Sequence, residues 1–221
     1  MKVIKKVNFE KKYKMRINNL VALVLFSLFL ASCSKNSKEI VLEAKNGNIE
    51  DALICKFLPY QNFSEEENIH LYSSKQGDSI NVNRVVLNFK EIPANMKIDS
   101  AFLQLKFNAK SVIGKESYGE NGFVIQRIIS PWDETEVNWA NAPVTTDDNQ
   151  IFTDKTKLNK DPNRINVTRL VQDISDDKDN SYGFLLKLVK ENSSSLVLLA
   201  SSNNSDASLR PKLKIYYSDK Q

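Results

Sequence analysis

Side chains that could do acid–base or nucleophilic chemistry are few in this 221-residue chain. His70 is its single histidine, which excludes motifs that need two imidazoles, and neither a Gly-x-Ser-x-Gly elbow nor a phosphate-binding loop occurs. His70 lies in an alternating apolar segment, which predicts an outward-facing side chain. Asp133, Glu134 and Glu136 mimic the carboxylate pair of a glycosidase, but surface acids give such spacings in most sequences of this composition. The sequence therefore predicts a protein that is not an enzyme.

An acidic segment at residues 176–183, Asp-Asp-Lys-Asp-Asn-Ser-Tyr-Gly, superficially resembles a calcium-binding loop. With Asp177 and Asp179 as the first and third ligands, the glycine required at the sixth position is Tyr182, and the glutamate required at the twelfth is Leu188. The register thus favours a solvated turn before a strand. We expect neither a metal ion nor a cofactor.

The apolar segment at residues 20–33 reads LVALVLFSLFLASC. It follows a basic flank, is too short for a membrane span and ends in small residues, which is typical of a secretory signal, whether translation starts at Met1 or Met15. Its ending, Leu-Ala-Ser-Cys, resembles the lipobox of bacterial lipoproteins, which implies a signal peptide over 1–32 and an acylated Cys33 as the mature amino terminus. Two or three acyl chains would hold the mature protein on a membrane of the cell envelope, outside the cytoplasm.

The positive charge of the chain belongs to this leader. The whole sequence carries a net charge of +4, but residues 1–32 hold seven of the 31 basic residues and one of the 27 acidic ones. The remainder, with 24 basic and 26 acidic residues, has a net charge of −2, which gives no support for a nucleic-acid partner. With Cys33 acylated, Cys55 is the one cysteine left, so no internal disulfide can form, and its apolar surroundings predict a small buried thiol.

Residues 33–48 begin with a polar stretch that predicts a tether, and residues 49–217 are enough for one domain with its own core. Apolar residues alternate with a period of two through most of that domain, which predicts strands. The predicted strands lie at 49–57, 69–73, 84–89, 98–108, 122–129, 136–139, 182–189, 195–201 and 213–217. A short helix is predicted at 168–174, with Asn166 or Thr168 as its cap. Many short strands with almost no helix indicate a β-sandwich or barrel.

The segment 131–143, PWDETEVNWANAP, holds both tryptophans of the chain. It resembles the DNRLRE domain family, also called disaggregatase-related, whose members carry a Trp, an acidic residue followed by Thr and Val, a second Trp, then Asn and Pro. Further segments match in order: an arginine-led strand at 84–89, Ile-Pro at 92–93, Ser-Ala-x-Leu-x-Leu at 100–105, Asn-Val-Thr at 166–168, Ser-Tyr-Gly-Phe at 181–184 and Arg-Pro-x-Leu-x-Ile-Tyr at 210–216. The resemblance covers nearly all of residues 49–217.

This resemblance implies a jelly-roll-like β-sandwich of the carbohydrate-binding-module type, found beside secreted polysaccharide-degrading enzymes and as separate proteins. Some members bind anionic polysaccharides such as alginate. The expected function is therefore non-catalytic polysaccharide binding by a cell-envelope lipoprotein. A structural or adhesive surface protein that binds another protein is the alternative, and a lyase or hydrolase ranks third. Trp132 and Trp139 could form a sugar-stacking platform, but large aromatics in sandwiches are more often structural, which is the role we predict for them.

A carbohydrate-binding face is predicted from strand parity. Arg84 alternates with the apolar side of its strand, and so do Gln104 and Lys106 on theirs. Lys187 could join them from a third strand. These side chains would donate hydrogen bonds to sugar hydroxyls and to uronate carboxylates, so the sequence predicts a shallow groove formed by Arg84, Gln104, Lys106 and Lys187.

Overall fold

The structure is a computed structural model that describes residues 37–45, 47–108, 118–155 and 164–220. The signal peptide predicted at 1–32 and the acylation site predicted at Cys33 lie outside these residues. The chain from Ser37 onward forms one compact unit.

Strands make up most of the regular secondary structure of this unit, and their antiparallel pairing follows the alternation of apolar residues. In chain order the elements are β1 (Lys38–Glu43), β2 (Ile49–Cys55), β3 (Asn68–Gln76), β4 (Ser79–Phe89), β5 (Met96–Gln104), β6 (Phe123–Ile128), β7 (Thr145–Phe152), β8 (Ile165–Asn166), α1 (Thr168–Asp176), a 3₁₀ turn (Lys178–Asn180), β9 (Phe184–Leu188), β10 (Ser195–Ala200) and β11 (Lys212–Asp219).

Two antiparallel sheets form the molecule. The four-stranded sheet has the order β1-β11-β5-β8, and the seven-stranded sheet has the order β10-β3-β4-β9-β6-β7, with β2 paired to β4. One hydrophobic core lies between them and draws Leu87 and Phe89 from the larger sheet and Leu103 and Leu213 from the smaller one. The prediction of an all-β, single-domain sandwich is confirmed, and Cys55 is a buried free thiol, as predicted.

The predicted helix is also confirmed and helps to close the core, but its cap residue is Val167 and not Asn166 or Thr168 as predicted. It runs over Thr168–Asp176 and buries Leu170 and Ile174, which are four residues apart and so lie on one helical face. The side chain of Asn166 accepts hydrogen bonds from the Thr168 backbone N–H at 3.0 Å and from its hydroxyl at 2.7 Å. This side chain therefore fixes the turn that enters the helix.

The sandwich starts before residue 49, where the sequence predicts the domain to begin. Residues 38–43, inside the predicted tether at 33–48, form β1, which pairs with β11 at the edge of the smaller sheet. Ile40 and Leu42 alternate toward the core, but charged neighbours on a single short strand hide that pattern in the sequence. The first strand of the sandwich thus begins at Lys38.

The strand predicted at 136–139 is wrong, because this segment is a turn. The N–H groups of Glu136 and Val137 both donate to the carbonyl of Asp133, at 3.2 and 2.8 Å. Alternation over four residues is too short to distinguish a strand from a loop that buries one apolar side chain. Val137 is that buried side chain.

Candidate functional site

The four residues predicted to bind sugar do not share one face. Arg84 lies on β4 and Lys187 on β9, in the seven-stranded sheet, whereas Gln104 lies at the end of β5 in the four-stranded sheet. Lys106 follows β5, and its carbonyl accepts the N–H of Ala200 at 2.8 Å. Strand parity predicts which side chains avoid the core, but a sandwich has two outer faces, and parity does not tell which strands share one.

Arg84 is held by neighbouring side chains. Its Nε and Nη2 each donate to a carboxylate oxygen of Glu191 at 2.8 Å, and its guanidinium lies 4.9 Å from the ring centroid of Trp139. A bidentate ion pair fixes the guanidinium plane and offsets its charge. In this geometry Arg84 supports the surface around Trp139 and is committed to a carboxylate of its own chain.

The segment 131–143, which we call the Trp loop, packs on the outer face of the seven-stranded sheet. A second apolar cluster that includes Val86 lies beneath it, and Trp132 and Trp139 pack against this cluster. The indole N–H of Trp132 also donates to the carbonyl of Tyr182 at 2.8 Å. These contacts agree with the structural role predicted for the two tryptophans.

The outer face of the four-stranded sheet has a different character, and we call it the β11 face. Three cross-strand rows form it: Glu43, Lys212 and Gln104; Val41, Lys214 and Phe102; Glu39, Tyr216 and Ser100. Lys212 pairs with Glu43 at 2.8 Å and Lys214 with Glu39 at 2.9 Å. Gln104 is the one predicted sugar-binding residue in these rows.

Aromatic rings alternate with the cations on the β11 face. The guanidinium of Arg164 lies 5.0 Å from the ring centroid of Phe102, and the ammonium of Lys214 lies 5.0 Å from that of Tyr216. Solvent reaches this surface, since Val41 in the middle row is 43% exposed. Cation–ring contacts of this kind fix the positions of both partners at an exposed site.

Ionisation on the β11 face is set by the same contacts. A hydrogen bond from Lys212 lowers the pKa of Glu43, and one from Lys214 lowers the pKa of Glu39. Hydrogen bonds with Tyr216 and Glu39 raise the pKa of Lys214. Both signs of charge are therefore present at neutral pH, and solvent screening keeps such exposed pairs weak.

This arrangement suits a hydroxyl-rich chain better than a small apolar ligand. Flat ring surfaces can pack against the C–H faces of sugars, while lysine ammonium groups and the Gln104 amide can donate to hydroxyls and carboxylates. Lys212, Lys214 and Tyr216 on β11 are not among the sugar-binding residues predicted from the sequence. The signal for them is the pattern Lys-x-Lys-x-Tyr at 212–216, whose polar and aromatic side chains all fall on one face of a strand.

Asp51 joins the Trp loop to the sandwich through its backbone and carries a buried carboxyl group. Asp51, on β2, is fully buried, and its Oδ2 accepts the N–H of Ser202 at 2.6 Å. The Asp51 backbone N–H donates to Glu134 Oε1 at 2.9 Å. Burial raises the pKa of Asp51 to about 7, and the nearby Glu134 charge adds to the rise. The sequence pattern predicts Glu134 as a surface acid and carries no signal for the burial of Asp51.

His70 alternates with the core residues Ile69 and Leu71 and so faces away from the main core, as predicted, but its side chain is half-buried. Its Nε2 accepts a hydrogen bond from the Asn83 side-chain amide at 2.8 Å, and burial lowers the pKa of His70 to about 4. Within the described residues, no group of three or more His, Cys, Asp and Glu side chains could hold a metal ion. No helix among those residues is long and apolar enough to cross a membrane.

A two-sheet antiparallel sandwich with cations and aromatic rings along one outer face has the features of a sugar-binding module. The family comparison agrees: residues 44–217 match the model of carbohydrate-binding module family 96, and the chain belongs to this family. The match confirms the carbohydrate-binding type of family predicted from the sequence. A search of the curated proteins finds no match to the chain.

Proposed function

We propose that this protein is a non-catalytic polysaccharide-binding lipoprotein of the cell envelope, and that the β11 face binds its ligand. The observation that carries the proposal is the grouping of Lys212 and Lys214 with aromatic and amide side chains on one sheet face, in a chain of a carbohydrate-binding module family. The ligand is an anionic glycan such as alginate, as the DNRLRE resemblance implies.

Charge and shape support this choice of ligand. A sheet face offers repeated, shallow contacts, so affinity should come from several sugar units of one chain. Uronate carboxylates can replace Glu43 and Glu39 as partners of Lys212 and Lys214, because exposed ion pairs are worth little free energy. Gln104, next to Lys212 in the same row, can bond a neighbouring hydroxyl.

The proposal extends to attachment and location. Cys33 carries the acyl chains, and the protein is anchored outside the cytoplasm with the sandwich free to reach glycans. Intact-mass analysis of the membrane fraction should show an acylated chain that begins at Cys33, and Cys33→Ala should release the protein from membranes. An unmodified membrane-bound chain that begins before Cys33 would contradict the anchor and leave glycan binding unaffected.

Alginate binding should depend on the two β11 lysines. The double variant Lys212→Ala/Lys214→Ala should lower retention of the protein on an alginate-coupled column in low salt by about tenfold, since two weak contacts are lost together. Lys38→Ala is the matched control, because Lys38 also forms an ion pair across β1 and β11, with Asp219 at 2.8 Å, but alternates to the other side of its strand.

Retention of the double variant equal to that of wild type would exclude the β11 face as the ligand site. Alginate recovered after incubation with the purified protein should keep its original chain length. Shortened alginate would overturn the non-catalytic part of the proposal.

A further inference from the structure

An exposed apolar patch lies in the turn that follows β2. Tyr60 is 83% exposed, Phe57 52% and Leu58 48%. Phe63, three residues beyond Tyr60, packs against the main core. The segment thus sends one ring inward and leaves three large apolar side chains in solvent, which marks an interaction surface. We call Phe57, Leu58 and Tyr60 the 57–60 platform.

The backbone beneath the platform is held in place by the Trp loop. The carbonyl of Pro59 accepts the N–H of Ala140 at 2.9 Å. The side-chain amide of Asn62 donates to the carbonyls of Glu134 and Val137, both at 2.8 Å. Because these bonds tie the turn at two points, the backbone that carries the exposed rings is preorganised, which lowers the part of the entropic cost of binding that comes from ordering the turn.

The same contacts place the platform away from the β11 face. Ala140 follows Trp139, which packs on the outer face of the seven-stranded sheet and lies against the Arg84 guanidinium. The platform therefore continues the surface that contains Arg84, on the side of the sandwich opposite to the β11 face. A ligand bound here would not contact Lys212 or Lys214.

We propose that the 57–60 platform is a second sugar-binding surface, which stacks the apolar C–H face of a pyranose ring on Tyr60 and Phe57. The inference rests on the proposed function. Because the protein belongs to a carbohydrate-binding family, the occupant of the platform is a polysaccharide chain. Tyrosine and phenylalanine give flat apolar contacts at a low cost in side-chain entropy, and the Tyr60 hydroxyl can bond sugar oxygens. With the β11 face, the platform makes the domain bivalent for glycan chains.

High salt removes the ionic contacts of the β11 face but leaves ring stacking on either surface, so loss of high-salt retention in a Tyr60 variant identifies the platform. At about 1 M salt the Debye length is about 3 Å, so contacts between exposed charges on the β11 face are screened, whereas stacking on uncharged rings is not. On an alginate-coupled column at this salt concentration, the full chain in non-ionic detergent should keep a residual retention. Tyr60→Ala should reduce that residual retention by about fivefold.

Matched variants identify the cause of the loss. Tyr60→Phe keeps the ring and should keep most of the high-salt retention. Phe152→Ala removes another exposed ring, on β7, and should have no effect, which separates stacking at the platform from general surface hydrophobicity. Because Tyr60 is exposed, Tyr60→Ala should unfold at the same temperature as wild type, and this measurement shows that the variant is folded.

Four other outcomes would overturn the proposal. Low-salt retention of wild type that vanishes at about 1 M salt, or equal high-salt retention of wild type and Tyr60→Ala, would exclude the platform and leave the β11 face standing. Wild type that is not retained at either salt concentration would overturn the proposed function itself. Binding of wild type to phosphatidylcholine vesicles that Tyr60→Ala abolishes, with unchanged retention on alginate, would reassign the platform to a membrane surface.

Discussion

Gly183→Ala should lower the free energy of unfolding by about 3 kcal/mol, because two costs combine at this position. Gly183 has φ +99°, a backbone conformation that side chains with a Cβ rarely adopt, and an added Cβ would clash with the carbonyl oxygen of Leu87 and lie 2.8 Å from Asn88 Cα. Both neighbours are backbone atoms of β4, so no side-chain rotation relieves the clash. The Gly183 carbonyl also accepts the Ile128 N–H at 2.9 Å, which couples any shift to β6.

Gly77→Ala is the matched control for this prediction. Gly77 also has a positive φ, +61°, but an added Cβ would meet nothing within 4 Å. The control isolates the backbone strain and should cost about 1 kcal/mol. Urea unfolding of the two variants measures both values. If Gly77→Ala and Gly183→Ala lowered the free energy of unfolding equally, the clash with β4 would add nothing to the cost of a side chain at position 183.

Asp51→Asn should remove a loss of stability that the Asp51 carboxyl group causes as pH rises from 5 to 8. The pKa of Asp51 is about 7 in the folded protein and close to its ordinary value of 3.8 when unfolded. Between these values the folded state binds more protons, so the contribution of Asp51 is highest at low pH and is lost as pH rises through about 7. This loss should be about 2–3 kcal/mol, from about 1.36 kcal/mol per pH unit.

The contribution of His70 to stability changes with pH in the opposite direction to that of Asp51 and over a different pH range. The pKa of His70 is about 4 in the folded protein against 6.5 when unfolded, so its contribution is fully present above about 6.5 and is lost as pH falls toward 4. His70 is unchanged in Asp51→Asn, so subtracting the two pH profiles isolates the carboxyl group. Above about pH 6.5 the slope of the wild-type profile should come mainly from Asp51.

Urea unfolding at several pH values measures both profiles. The variant keeps an oxygen that can accept the Ser202 N–H, so its fold should persist and its profile should be flatter than that of wild type above the ordinary pKa of histidine. Asp148→Asn, which alters an exposed carboxyl group on β7, is the matched control for the removal of one carboxyl group. Parallel profiles for wild type and Asp51→Asn would contradict the raised pKa of the buried carboxyl group.

Local patterns predict the sandwich well because its core depends on alternation within long strands. The alternating Val85, Leu87 and Phe89 all enter the main core, and the helix predicted at 168–174 is recognisable from its apolar spacing. β1 and the turn at 136–139 escape prediction because their patterns span too few residues. Tertiary pairing determines the secondary structure of such short segments, and a single sequence does not show which strands pair.

The same limit applies to the site. Strand parity correctly predicts that Arg84 and Gln104 lie outside the main core, but it does not predict that β4 and β5 belong to different sheets. The β11 face depends on cross-strand neighbours such as Lys212 and Gln104, which are far apart in the sequence. The burial of Asp51 is not predicted for a related reason, since it depends on the loop that holds Ser202, which is distant in the sequence.

Polysaccharide binding by the β11 face is tested most directly by amide chemical shifts. These shifts, recorded on the isotope-labelled protein during titration with an alginate oligosaccharide, locate the contact residue by residue. We expect the largest shifts at Gln104, Lys212 and Lys214 and their cross-strand neighbours, with saturation at increasing ligand and no shortening of the oligosaccharide. Saturable binding that leaves the amides of β1, β5 and β11 unshifted would contradict a ligand site on this face.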